Sequence, residues 1–340
     1  MFGLFSSEIG IDLGTANTLI HVAGKGIVIN EPSVVAVDRR TDKVINIGLE
    51  AKRMLGRTPG DMMAVRPMKD GVIADFRLVE SLLTHFIRRV QKRPLYFLRP
   101  RIVVGVPSGI TEVEKKAVID AAQSAGAKEV YLVAEPMAAA IGMGIPVEDP
   151  SGNMVIDIGG GTAEIAVIAL QGIVCDASVR IGGDEMDNAI IEYLRSTYNL
   201  LVGESSAEQI KFQIGSAYPL AEELEMQVKG RDQSAGVPRT MTISSVEIRE
   251  ALKEPIDGIV AAVRKALDDT PPELSADIMD KGIIMTGGGS MLRGFDERLR
   301  QETNLPVNVI DEPLIAVCKG TARILEDLNK YRKVLLPTTV

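Results

Sequence analysis

The sequence predicts an α/β protein built from two similar halves, and three observations carry that prediction. Ile11-Asp12-Leu13-Gly14-Thr15 is repeated by Ile156-Asp157-Ile158-Gly159-Gly160-Gly161-Thr162, each an apolar strand, an aspartate, a glycine turn and the start of a second strand. The register continues, since Gly26-Ile27-Val28 answers Gly172-Ile173-Val174 at an offset one residue longer than that between the aspartates. A third glycine cluster, Thr286-Gly287-Gly288-Gly289-Ser290, separates a strand-like from a helix-like run. Each half thus offers a turn whose bare backbone N–H groups can surround a phosphate, with a carboxylate suited to a hydrated magnesium ion. Two such turns facing each other would clamp a nucleoside triphosphate.

Along the chain, Ile9 to Leu13, Thr18 to Val22 and Ile27 to Ile29 are strand-like runs between glycine turns, which predicts a meandering antiparallel start to a sheet. Apolar residues recur at helical spacing from Leu78 to Val90, and Arg101 to Val106 reads as a short strand stopped by Pro107. Thr111 to Ala125 reads as a helix, with Thr111 as N-cap and Glu114 three residues on completing a capping box. The second half repeats the alternation in strands Met154 to Ile158, Glu164 to Leu170 and Ile173 to Asp176, then a helix from about Asp184 to Tyr198. Ser205 to Gln227 is predicted helical and charged, and Gly230 to Thr240, with its glycine and proline, a surface loop. Strand Gly282 to Met285, the third glycine turn, a helix around Leu292 to Glu302 and a last helix from about Ile315 to Leu328 complete the chain.

Composition narrows the class. A chain of 340 residues has room for two domains of about 100 to 200 residues each. With 46% hydrophobic and 25% charged residues it is an ordinary globular sequence rather than a disordered or fibrous one. Cys175 and Cys318 stand far apart and form no C-x-x-C pair, which excludes a disulfide framework and a thiolate metal site and fits a reducing cytoplasm. No apolar run reaches the roughly 18 residues of a spanning helix, and Met1 to Ser7 lacks the marks of a signal peptide, so the chain is expected to be neither secreted nor membrane-spanning. A formal net charge of −8 argues against a nucleic-acid partner.

The chemistry open to this chain is restricted. It contains no G-x-x-x-x-G-K-[ST], and its glycine turns lead into strands rather than into the helix of a dinucleotide fingerprint, so Walker and Rossmann readings fall away. With only His21 and His85, a histidine metal site or a serine–histidine triad is excluded in practice, and His21, in a strand, reads as structural. Fourteen scattered methionines read as core filling. One segment opposes the chain in sign: Arg88 to Arg101 holds six basic residues and no acidic one, with Leu95-Tyr96-Phe97-Leu98 between Pro94 and Pro100. These four side chains either insert at the headgroup boundary of an anionic leaflet, each nearby cation adding about 1 kcal/mol, or tuck into the core beneath a solvated rim.

These residues resemble the actin, Hsp70 and sugar-kinase superfamily, and within it the MreB family of bacterial actins. The likeness is carried by Ile9-Gly10-Ile11-Asp12-Leu13-Gly14-Thr15-Ala16-Asn17-Thr18, by Arg66-Pro67-Met68-Lys69-Asp70-Gly71-Val72-Ile73-Ala74-Asp75, by Glu135-Pro136-Met137-Ala138-Ala139-Ala140 and by Pro271-Pro272-Glu273-Leu274. It covers nearly the whole chain. One departure is Ala163, where the family usually has threonine, followed by Glu164. The resemblance implies an actin-like, ribonuclease H-like α/β fold of duplicated domains, with mixed five-stranded sheets flanked by helices and the nucleotide between them. Domain I would comprise 1–145 plus 312–340, with a small subdomain at about 33–65, and domain II 146–311, with a small subdomain at about 182–244.

The resemblance also implies roles. Asp12 and Asp157 would hold magnesium through its waters, and Glu135 would orient the attacking water, with Asp157 beside it in catalysis. Gly14, Thr15, Ala16, Asn17, Gly159, Gly160, Gly161 and Thr162 would line the phosphates of ATP, with GTP left open. Glu208 and Lys211, three apart on one helix face, would meet the ribose and purine; without the resemblance they read as a surface ion pair. Gly287, Gly288 and Gly289 would admit the adenosine, or else form a tight strand-to-helix turn. Leu95, Tyr96, Phe97 and Leu98 become the membrane loop, with Phe2, Leu4 and Phe5 as a second anchor. The implied whole is a slow magnesium-dependent ATPase coupled to polymerisation. It would be cytoplasmic and peripheral on the inner leaflet, with itself and membrane-bound wall-synthesis and cell-shape proteins as partners, directing wall growth to keep a rod shape. A small-molecule kinase of the superfamily would carry substrate-binding insertions that are not evident here. An Hsp70-like chaperone would need a peptide-binding domain for which the chain leaves no room, and a plasmid-segregating filament would not need the basic apolar loop.

Overall fold

The chain is described by a computed structural model over residues 8–90 and 99–337. It opens as an antiparallel meander of β1 (Glu8–Leu13), β2 (Asn17–Val22) and β3 (Gly26–Pro32). A small sheet comes next, built from β4 (Val35–Asp38), β5 (Lys43–Ile47) and β6 (Met62–Val65), with α1 (Leu49–Lys52) between the last two. β7 (Met68–Lys69) and β8 (Val72–Ile73) make a ribbon whose turn, Asp70 and Gly71, lies at positive φ. α2 (Phe76–Val90) buries Leu78, Val79, Leu82, Leu83, Phe86 and Ile87, one apolar stripe at helical spacing. β9 (Arg101–Val106), α3 (Glu112–Ser124) and β10 (Glu129–Ala134) add two parallel strands to the first sheet, in the order β10-β9-β1-β2-β3. The capping box expected of Thr111 and Glu114 is present, with Thr111 N–H donating to the glutamate at 2.8 Å. α4 (Glu135–Met143) begins directly after β10, with Pro136 in its first turn, where no intrahelical donor is needed.

The second half repeats the plan with β11 (Asn153–Ile158), β12 (Ala163–Ala169) and β13 (Gly172–Val179). α5 (Gly183–Tyr198), β14 (Leu200–Leu201), α6 (Glu204–Ile214), β15 (Glu225–Asp232), β16 (Pro238–Ser244), α7 (Ser245–Asp268) and α8 (Pro272–Lys281) intervene. β17 (Ile283–Thr286), α9 (Phe295–Thr303), β18 (Val307–Val309) and α10 (Ala316–Glu326) complete it, and the second sheet runs β13-β12-β11-β17-β18. The duplication reaches single residues. Val28 and Val174 are each the extra residue of a bulge, skipped between His21↔Ile27 and Ile20↔Ile29 in one sheet and between Ile168↔Ile173 and Val167↔Cys175 in the other. The longer sequence offset has its cause in the turns: residues 14–16 join β1 to β2, whereas 159–162 join β11 to β12.

Two sequence expectations are corrected. The helix expected over Ser205 to Gln227 stops at Ile214, and Glu225–Asp232 is a strand. Its first residues alternate polar and apolar, with Val228 buried among exposed neighbours, which is the period of a strand with one wet face. The loop expected over Gly230 to Thr240 is the tip of that β15–β16 hairpin, where Arg231 pairs with Pro238. Beneath both sheets, α4 and α10 share one core. Met137, Ile141, Val317 and Ile324 cluster with Val103 and Val133 of the first sheet and Val155 and Ile168 of the second. The helices cross so closely that a Cβ at Gly320 would lie 1.8 Å from the carbonyl oxygen of Ala138, and one at Gly142 2.0 Å from that of Ala316.

Candidate functional site

A cavity of about 670 Å³ lies between the two sheets, lined by the β1–β2 turn, the β11–β12 turn, Gly287, Gly288 and Gly289. The two turns touch. A Cβ on Gly160 would stand 2.7 Å from that of Ala16, and one on Gly161 2.7 Å from Thr15 Oγ1, so only glycine allows this approach. Gly71 N–H donates to Thr15 Oγ1 at 3.1 Å.

Both turns are held from behind. Ser33 Oγ donates to the Gly14 carbonyl at 2.7 Å, Ser33 N–H donates to that of Ala16 at 2.9 Å, and Thr18 Oγ1 braces Ser33 Oγ at 2.9 Å. Gly183 and Asp184 N–H donate to the carbonyls of Gly159 and Gly160 at 3.0 and 2.7 Å. Across a trans peptide the C=O and the following N–H point in opposite directions. Anchoring these four carbonyls therefore aims the N–H groups of Thr15, Asn17, Gly160 and Gly161 away from the anchors. Ser33 carries no motif, and only the fold brings it to the turn.

Below the turns sit carboxylates of both halves. Asp12 is the penultimate residue of β1, Asp157 the corresponding residue of β11, and Glu135 opens α4. Burial pushes the Asp12 carboxyl up to about 7, and burial together with the charges of Asp12 and Glu164 pushes Asp157 up to about 8. Glu135 is raised well above its ordinary value, by burial first and then by Asp157, Asp12 and Glu164. Among the described residues no lysine or arginine pairs with these three. Such a group is short of positive charge, and a cation fits it. No cluster of three or more His, Cys, Asp or Glu among the described residues is placed to hold a metal ion. Fewer direct ligands suit magnesium, which keeps several of its waters.

At the other end of the cavity, Glu208 and Lys211 share a face of α6 but do not pair with each other. Glu208 accepts from Lys52 Nζ at 2.9 Å, and Lys211 Nζ lies 2.8 Å from Asp187 and 2.7 Å from the Gly183 carbonyl. Gly287 sits at φ 79°, and a Cβ there would meet Asp157 Oδ1 at 2.3 Å; one on Gly289 would meet Ile158 Cγ2 at 2.2 Å. Close packing on β11 thus requires both glycines, whatever else enters the cavity. Sequence reasoning misses Lys52, Asp184 and Asp187, and also the apolar wall of Phe212, Met291 and Leu314. Phe212 directly follows Lys211 on α6 and is 64% exposed, an aromatic out of phase with the buried stripe and the one signal available. The proposed membrane residues Leu95, Tyr96, Phe97 and Leu98, with Phe2, Leu4 and Phe5, lie outside the described residues.

Residues 6–333 match the family model of the MreB/Mbl protein. The chain is 53% identical over 335 residues to the cell shape-determining protein MreB of Escherichia coli, covering 97% of this chain and 96% of that one. It is 50% identical over 330 residues to the cell shape-determining protein Mbl of Bacillus subtilis, covering 97% and 99%. The crystal structure of MreB 5 of Spiroplasma citri bound to AMPPNP superposes with a TM-score of 0.92 at 38% identity, covering 96% of this chain and 98% of that one.

Proposed function

The chain belongs to the MreB/Mbl family and has its actin-like fold, and from this premise we propose that it is an ATP-binding filament subunit that polymerises at the inner face of the cytoplasmic membrane and directs wall synthesis to maintain a rod shape. The observation that carries the reading is the pair of touching glycine turns, each with N–H groups fixed by anchored carbonyls, over carboxylates that no described lysine or arginine neutralises. The relative solved with AMPPNP supports nucleotide binding.

In this reading the N–H groups of Thr15, Ala16, Asn17, Gly160 and Gly161, with the hydroxyls of Thr15 and Thr162, hold the β- and γ-phosphates, while the Gly159 N–H closes its own turn on the Thr162 carbonyl at 2.8 Å. Asp12 and Asp157 would hold magnesium, which keeps several of its waters, and the ion would supply charge neutralisation to the phosphates. Glu135, its proton affinity raised by burial and neighbouring charge, accepts a hydrogen bond from the attacking water and aims it. Glu208 and Lys211 meet the ribose and purine against Phe212 and Met291. Nucleotide entry then requires Glu208 to share or exchange its bond with Lys52, which couples the small sheet of the first half to occupancy. The basic segment from Arg88 to Arg101 draws the filament to an anionic leaflet, where Leu95, Tyr96, Phe97 and Leu98 insert.

Electron microscopy of the purified chain with magnesium, ATP and vesicles containing anionic lipid tests the proposal. Filaments lying on the vesicles are the expected result, and replacing Leu95→Ser with Phe97→Ser should leave filaments in solution and free the vesicles. Failure to bind ATP or to assemble at all would overturn the filament reading. Vesicle binding that survives the double replacement would move the membrane contact elsewhere.

A further inference from the structure

We propose that Glu164 is a positioning residue, a latch that fastens the second half to the loop after β9 and so sets how Glu135 and Asp157 face one another across the cleft. The inference rests on the nucleotide reading above. Glu164 is 1% exposed and stands on β12 directly opposite Asp157 of β11. Its Oε2 accepts from Ser108 N–H at 3.0 Å and from Ser108 Oγ at 2.7 Å, while its Oε1 accepts from Ser178 Oγ at 2.6 Å. Ser108 follows β9 of the first sheet and Ser178 lies on β13 of the second, so one buried carboxylate is satisfied by donors from both halves.

The same seam is closed by packing. A Cβ on Gly109 would lie 3.5 Å from Ser178 Cβ, and Gly71 fits between Pro107 and Thr162, where a Cβ would meet them at 2.8 and 2.9 Å. If the halves part here, Glu164 keeps one donor of its three. An under-satisfied buried carboxylate is costly, and that cost opposes opening. Glu135 belongs to the first half, its Cγ 3.7 Å from where a Cβ on Gly105 would stand, and Asp157 belongs to the second. Their separation depends on how the halves meet. Ser108, three residues beyond Gly105, and Glu164, paired with Asp157, fix that meeting close to both.

The test uses the full chain. Glu164→Gln keeps the side chain's size but turns one accepting oxygen into a donor facing donors. Magnesium-dependent ATP turnover should fall by about tenfold to a hundredfold while affinity for a fluorescent ATP analogue changes by less than about threefold. Ser108→Ala should give a smaller loss of turnover in the same direction, and Ser108→Thr, which restores the hydroxyl, should recover it. The seam can also be read without turnover, by pairing Gly109→Cys with Ser178→Cys in a chain carrying Cys175→Ser and Cys318→Ala. The 3.5 Å separation of the Cβ positions suits a disulfide, and adding Glu164→Gln should slow its formation by about tenfold.

Unchanged turnover or an unchanged cross-linking rate in the Glu164→Gln chain overturns the latch. Equal losses of affinity and turnover would assign Glu164 to folding alone and overturn it too. A parent chain that binds no ATP sinks the nucleotide reading instead, and the cross-linking rate then decides the latch by itself.

Discussion

Replacing Asp157→Asn is expected to reduce magnesium-dependent ATP turnover by about a hundredfold or more while leaving the chain folded. The amide keeps the volume of the side chain at the end of β11 but removes the charge that, with Asp12, would hold the ion's waters. Burial and two neighbouring carboxylates oppose that charge when no ion is bound, so its loss should not weaken the nucleotide-free fold. The pH dependence has a definite sign. Asp157 holds its proton up to about pH 8 in the fold but only to about 3.8 when unfolded, so between these values the folded chain binds the extra proton. The stability this group contributes is complete below the lower value and is lost as pH rises through the upper one, with Asp12 acting in the same direction up to about 7. Urea denaturation without nucleotide at pH 6 and pH 8.5 should show the parent chain weakening more on alkalinisation than the Asp157→Asn chain. Parallel shifts of the two would remove Asp157 from the account, and undiminished turnover would remove it from the chemistry.

Gly320→Ala should be the most damaging single methyl group. The added carbon would stand 1.8 Å from the Ala138 carbonyl oxygen, backbone that no rotamer change can move aside. Overpacking a tight site costs about 1–3 kcal/mol, and a backbone–backbone clash at a helix crossing belongs at or above the upper end. Gly142→Ala, on the other side of the same crossing, should behave alike, and Gly60→Ala, where a methyl meets nothing, is the control. Function should track stability, because α4 begins with Glu135 and Val317 of α10 packs against Gly105 beside it. A urea midpoint within error of the parent would show that the helices part more easily than their packing implies.

The parts of the fold legible in the sequence are those whose signal is local. Asp-x-Gly turns between strands identify both halves, and Thr111 with Glu114 gives the start of α3. A similar signal at Ser244 and Glu247, which cap α7, passes unread because Pro255 interrupts the helical run behind it; the helix tolerates that proline, which is itself buried in the core. The β15–β16 hairpin escapes because polar and apolar residues alternate over too short a run to compete with the helical pattern before it. At the site, the turns and aspartates are readable because glycine and carboxylate sit together in sequence. Ser33, Lys52, Ser108 and Asp187 are not, since each acts on a residue far along the chain and carries no mark of its own.

The shared core of α4 and α10 has a consequence for biosynthesis. Gly10 of β1 is covered by Thr321 of α10, so close that a Cβ would stand 2.5 Å from its hydroxyl, and the strand therefore waits on the ribosome for a helix far along the chain. Loop closure over so long a separation is entropically slow, and until it happens the first sheet exposes the apolar face that this helix covers. The first half cannot mature before α10 is made, and nascent chains stalled before it would be natural clients of the cell's chaperones.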